Sequence, residues 1–317
     1  MFVGCGSADK PLASKLNSST ASQPTDSVTL MLNWYPEAEH GGFYAAKAHG
    51  IFLKHGLEVN IRAGGPNAPV AQEMVVGRVQ FGIANADDVL NFRQNDVDVV
   101  ALMAPIQNTP RCVLVREDSG IQRLDGLKGL TLQANKGQAF LDFMESRGLL
   151  SGVQVVPYSG TVANLVADTK TAIQAYSFSE PMLAEQQGVK VRALMLGDIG
   201  FNPYASCLIA TKDYITKNPD LVRRMVAACN EGWQKYLESP ETANAQILEQ
   251  NSQGMTKEAL AFGVEKLRPL CLPNNMPVAE VGKMTLERWQ ELIDQFIALK
   301  LVTAEKVKAS EAFQTSL

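Results

Sequence analysis

Charge of one sign is scarce in this sequence, and so are the residues that hold metals. The 29 Lys and Arg nearly balance the 33 Asp and Glu, leaving a formal net charge of −4. No run of Lys or Arg interleaved with aromatics occurs, so the basic footprint of nucleic-acid binding is missing. Histidine appears three times and cysteine five times. Cys5, Cys112, Cys207, Cys229 and Cys271 never approach C-x-x-C spacing, and no histidine neighbours them, which excludes the usual zinc and iron–sulfur motifs. No apolar run reaches the ~18 residues of a membrane span. The longest, 97–106, is broken by Asp98 and Pro105 and reads as a buried strand. H-E-x-x-H pairs and Walker loops are also missing. No metal, cofactor or nucleic-acid partner is expected.

What is present is an ordinary folding composition. Hydrophobic residues make up 46% and charged residues 20% of 317, which is neither disordered nor coiled-coil usage. At roughly 150 residues per domain the length suggests about two domains. Cys112, Cys207 and Cys229 sit among apolar neighbours and read as small core residues. Cys5 differs. It lies in Phe2-Val3-Gly4-Cys5-Gly6-Ser7, ahead of a Ser/Thr/Ala/Gln/Pro-rich stretch without hydrophobic periodicity, so 1–27 reads as a disordered tether. Val3-Gly4-Cys5-Gly6 resembles the end of a bacterial lipoprotein signal, where the cysteine is lipidated after cleavage, although the apolar region that precedes such a site is missing. Two readings follow. The linker favours a lipid anchor on Cys5 with a start further upstream; the other is an ordinary N-terminal extension.

From residue 28 strands and helices alternate. Strands are expected at 28–34, 57–62, 78–84 and 98–104, with a loop over 35–42 and helices at 43–50, up to 76, and at 87–93. A second α/β unit is expected from about 111, with strands at 112–116, 130–133, 153–157 and 173–178 and helices at 137–148 and 162–168. A strand at 206–211 precedes an almost wholly helical remainder. There Asn218-Pro219 starts a helix striped with Val222, Met225, Val226, Cys229 and Trp233, Ser239-Pro240 starts another, and the last strong helix carries Leu286, Trp289, Ile293 and Phe296. The alternation argues for parallel sheets with covered faces. The stretches 77–85 and 169–177 weakly echo each other, each running from a basic turn into an alternating strand. Two similar lobes would produce such an echo, and chance would serve as well.

The stretch Leu32-Asn33-Trp34-Tyr35-Pro36-Glu37-Ala38-Glu39-His40-Gly41-Gly42-Phe43-Tyr44-Ala45-Ala46-Lys47 resembles the opening signature of the NMT1/THI5-like family. The resemblance continues through Gly77-Arg78-Val79-Gln80-Phe81-Gly82-Ile83, Leu124-Asp125-Gly126-Leu127-Lys128-Gly129, Ser179-Glu180-Pro181 and Asn218-Pro219-Asp220-Leu221-Val222. It implies an α/β chain with the type II periplasmic binding protein fold: two α/β lobes, joined by two crossovers, that close on a ligand in the cleft. On that implication 28–106 and 205–317 form lobe 1 and 107–204 form lobe 2. The family's binding proteins serve ABC importers of thiamine pyrimidine precursors, with relatives for riboflavin, sulfonates, taurine or nitrate. The resemblance therefore implies an extracytoplasmic, monomeric capture protein whose partners are a small molecule and permease subunits. An enzymatic branch of the family makes pyrimidine with pyridoxal phosphate on a lysine, a reactive histidine and a cysteine run. Here those positions fall on Ala84, Asp88 and 201–206, and an aldehyde cofactor needs an amine that this strand end does not offer. A binding protein without chemistry of its own is the first expectation, and a pyrimidine-synthesis enzyme of that branch is the alternative.

In open α/β sheets ligands sit beyond the strand ends, which nominates the site residues. Trp34 matches the family tryptophan that stacks on a pyrimidine ring, and Tyr35 and Tyr44 flank it. His40 could bond a ring nitrogen or carbonyl. Glu37 replaces the asparagine usual in pyrimidine-binding members and, when ionised, accepts only, which disfavours anionic ligands. Asn85 follows the third strand; Gln107 and Asn108 follow the fourth, at the first crossover. Asn135 and Gly137 precede a helix whose free N–H groups suit an anion or a carbonyl oxygen. Tyr176 and Glu180 end the second-lobe strand, as an opposing ring face and an acceptor for an exocyclic amine, and Tyr204 marks the return crossover. A structural role competes with binding at each, most strongly at His40 and at the crossover residues.

Overall fold

A computed structural model describes residues 1–4 and 25–314. Cys5 and the tether expected behind it fall almost wholly outside the described residues. Strands β1 (Asp26–Met31), β2 (Leu57–Arg62), β3 (Phe81–Ala84) and β4 (Val99–Met103) build a first sheet. A second sheet is made of β5 (Arg111–Arg116), β6 (Thr131–Gln133), β7 (Gln154–Val156), β8 (Thr171–Tyr176) and β9 (Val191–Met195), and β10 (Cys207–Thr211) returns to the first. The strand orders are β2-β1-β3-β10-β4 and β7-β6-β8-β5-β9. Both follow one pattern, and the echoing stretches fall on β3 and β8, which hold equivalent places in it.

The sheets are not wholly parallel, contrary to the expectation from alternation. β10 runs antiparallel to β3 and β4, and β5 antiparallel to β8 and β9. Each is the strand that enters its sheet directly from the other unit, with no helical crossover to restore its direction. β9, absent from the expected strands, is the half-buried edge of its sheet, and its five residues carry little alternation.

One face of the first sheet is covered by two helices in close contact. Helix Pro219–Glu238 buries Val222, Met225, Cys229 and Trp233 of the expected stripe, while Val226 is half-buried. It lies on helix Gly41–Ala48, which starts two residues before the expected 43. Glycine is a poor helix former, but packing decides here. A Cβ on Gly42 would lie 2.2 Å from the Trp233 ring, and one on Gly232 would lie 2.3 Å from the Gly42 carbonyl oxygen.

The two crossovers are tied side by side. Ile106 and Ala205 form a bridge, the Thr109 N–H donates to Asn202 Oδ1 at 2.7 Å, and Asn202 Nδ2 donates to Asn108 Oδ1 at 3.0 Å. Arg288 Nη2 donates to the main-chain oxygens of Gln107 (2.6 Å) and Asn202 (3.0 Å), holding both from outside.

Candidate functional site

Between the two sheets lies a cavity of about 390 Å³, lined from both sides. β1 brings the chain to Asn33, Trp34 and Glu37, and a 3-10 turn, Ala38–His40, turns Glu39 onto the same wall. From the end of β3 come Ala84, Asn85 and Asp88. The second sheet supplies Arg111 from the start of β5, Gln174 and Tyr176 from the end of β8, and Glu180 from the helix that follows. Asn135, Lys136, Gly137 and Tyr158 complete that side.

Asn85 joins the walls. It caps helix Ala86–Gln94, its Oδ1 accepts the Ser206 N–H at 3.2 Å, and its Nδ2 donates to Tyr176 Oη at 2.9 Å. Arg111 is buried, with Nη1 donating to Gln138 Oε1 at 3.2 Å and Nη2 3.8 Å from Asp87 Oδ2. Its guanidinium lies over the Phe140 and Tyr176 rings, at 5.0 and 5.6 Å from their centroids. Glu180 accepts the Tyr176 N–H at 2.7 Å, and Asn135 donates its N–H to Gln174 Oε1 at 2.7 Å.

Carboxyls outnumber cations around this space. Burial first, then repulsion from Glu180, pushes Glu37 up to about 8, against hydrogen bonds from Ser179 and Trp34 that lower it. Burial and the neighbouring Asp87 raise Asp88 to about 7, with Arg111 opposing. Glu180 is raised by burial as well. Near neutral pH the wall therefore carries protonated or proton-sharing carboxyls, able to donate as well as accept.

Of the expected site residues, Trp34, Glu37, Asn85, Asn135, Gly137, Tyr176 and Glu180 line the cavity. The other six do not. Tyr35 packs edge-on against Trp34 (5.4 Å between centroids) and over Gly65. His40 is fully buried and pushed by burial down to about 3, hence neutral; its Nδ1 faces the Glu37 N–H at 3.4 Å and its Nε2 faces Asn33 Oδ1 at 3.0 Å. It positions the wall and stands behind it. Tyr44 is enclosed among helices, its hydroxyl 3.4 Å from Gln250 Oε1. Gln107 donates to the Ala104 and Lys283 oxygens at 2.7 and 2.9 Å, Asn108 bonds Asn202, and the Tyr204 hydroxyl accepts the Thr285 N–H at 3.1 Å, so all three serve the crossover region.

Sequence reasoning passed over Arg111, Glu39, Asn33, Tyr158 and Gln174. Arg111 escaped because β5 runs antiparallel and presents its first residue to the cleft. The usable signal was an arginine opening an apolar strand straight after Pro110.

The NMT1/THI5 like family matches residues 37–243, a span that carries the whole second wall and the first wall apart from Asn33 and Trp34. The chain belongs to this family. Its similarity to the riboflavin-binding protein RibY of Chloroflexus aurantiacus is 27% identity over 232 residues, 70% of this chain and 66% of that protein. With the formylaminopyrimidine-binding protein of Halalkalibacterium halodurans it is 22% over 315 residues, 94% of this chain and 93% of that one. Among solved structures, the alkanesulfonate-binding protein SsuA from Xanthomonas axonopodis pv. citri, bound to MOPS, superposes with a TM-score of 0.68 at 15% identity, over 93% of this chain and all (100%) of SsuA. The fold is thus the periplasmic binding protein fold.

Within this NMT1/THI5-like chain the residues do not fit the pyridoxal phosphate of the enzymatic branch. Ala84 and Asp88 both line the cavity and offer no amine. Lys136 lines it too, but from a loop of the second sheet and not from the end of β3.

Proposed function

We propose that this chain is the extracytoplasmic solute-binding component of an ABC importer, capturing a small planar heterocycle by closing two lobes, 28–106 with 205–317 and 107–204, over it. The carrying observation is the cavity itself: an aromatic wall at Trp34 and Tyr176, with four carboxyls, Glu37, Glu39, Asp88 and Glu180, beside it. Flat π-faces take a ring, and the carboxyls accept from its N–H groups. A sulfonate group or a nitrate presents acceptors alone and would leave the carbonyl oxygens of these carboxyls unmatched, and any of them that ionises would repel it, which argues against sulfonates, taurine and nitrate. Functional pockets span about 300–1,000 Å³, so the volume here suits a single-ring solute, with a formylaminopyrimidine the leading candidate. Riboflavin is the second reading, favoured by the identity with RibY. In this scheme the protein is a monomer without chemistry of its own. A lipid on Cys5 holds it at the membrane, and its closed form docks on permease subunits.

A thermal-shift screen tests the assignment. A formylaminopyrimidine should raise the melting temperature, while taurine, methanesulfonate and nitrate should leave it unchanged. Stabilisation by the anions alone would overturn it.

A further inference from the structure

Among the described residues a few buried side-chain atoms have no hydrogen-bond partner, and one of them belongs to the main cavity lining: Glu39 Oε2. Glu39 is 1% exposed. Its Oε1 lies 3.4 Å from His40 Nε2, but that nitrogen already faces Asn33 Oδ1 at 3.0 Å. The main chain beneath is fixed, with the Glu39 carbonyl accepting the Ser206 hydroxyl at 2.8 Å. The carboxyl is therefore held in place and left unsatisfied at the wall of the cavity. Buried polar groups in native proteins are almost always hydrogen-bonded.

We propose that Glu39 is a ligand-recognition residue, reading a solute edge on which an N–H donor stands beside a ring nitrogen or a carbonyl oxygen. The inference rests on the solute-binding reading and narrows its ligand class. The charged and titratable groups acting on Glu39 are Glu37 from its own turn, Glu180 and Arg111 from the second sheet's side, and the adjacent His40. His40 is neutral, and Arg111 is shared with Asp87 and Gln138. Burial, reinforced by Glu37 and Glu180 and opposed by Arg111, holds the Glu39 carboxyl well above the usual carboxylate range. Such a carboxyl donates through its O–H and accepts through its carbonyl oxygen. An adjacent donor and acceptor on a ring close both bonds at once. A sulfonate or nitrate presents acceptors alone and leaves the carbonyl oxygen unmatched.

Titration calorimetry with two probes tests this: 4-amino-2-methylpyrimidine, which carries the edge, and its 4-dimethylamino analogue, which lacks the N–H. Wild-type protein should favour the first by at least about tenfold. Glu39→Leu should lose that preference, whereas Glu39→Gln, whose amide also donates and accepts, should keep the first probe within about threefold of wild type. Thermal melts establish that both variants fold, and the Gln variant decides the question should the Leu variant not. Selectivity that survives in Glu39→Leu, or an equal loss for both probes, overturns the inference alone. Wild-type protein that binds neither probe, or prefers the dimethylamino one, overturns it together with the pyrimidine reading.

Discussion

Glu37 sets a pH dependence that can be read without any ligand. Its pKa rises to about 8 in the folded chain, by burial and the nearby Glu180, against about 4.3 when unfolded. The folded state then holds the extra proton. The stability this contributes is complete below about pH 4 and is lost as pH rises through the folded value. Asp88, raised to about 7, acts in the same direction. The melting temperature should therefore fall between about pH 5 and 8, and Glu37→Gln should flatten the fall; a wild-type curve that climbs across this window would contradict it. Residues at or just beyond strand ends, such as Trp34, Asn85 and Tyr176, could be nominated for the cavity from the strand-end rule alone. Arg111 could not, because its nomination depends on strand direction. Neither could the retreat of His40 behind Asn33, since the tautomer and partners of a buried ring follow from tertiary packing.

Secondary structure was legible where periodicity was strong. The Asn218-Pro219 start and the apolar stripe yield helix Pro219–Glu238 as expected. Short elements shifted at their ends: the strand expected over 28–34 stops at Met31, so Trp34 is free to turn into the cavity. Gly41 and Gly42, expected in a loop, are helical because only a residue without a side chain allows Trp233 and Tyr236 so close. The contact is reciprocal, with a Cβ on Gly232 falling 2.7 Å from the Ala46 Cβ. Gly232→Ala should thus destabilise the protein by about 1–3 kcal/mol through overpacking, despite the better helix propensity of alanine. Urea denaturation measures it, and an unchanged or higher midpoint would show that the helix pair can separate at little cost.

At the scale of the molecule, one strand pattern appears twice, and the two copies face each other across the cavity. The alternation of strands and helices made the α/β class readable, but direction within each sheet was not, since the entries of β5 and β10 depend on the crossovers. Those crossovers are pinned together by Asn202 and Arg288, and the proposed closure of the two lobes would turn about this connection. The walls already meet where Asn85 Nδ2 donates to Tyr176 Oη, and Glu180 stands near enough to Glu37 to raise it. Calorimetric titration of a formylaminopyrimidine tests this account most directly. It predicts one solute bound per chain, affinity weakened at least about tenfold, ~1.4 kcal/mol, by Trp34→Ala, and no binding heat from methanesulfonate. Binding of methanesulfonate in place of the pyrimidine, or an unaltered affinity in Trp34→Ala, would contradict it.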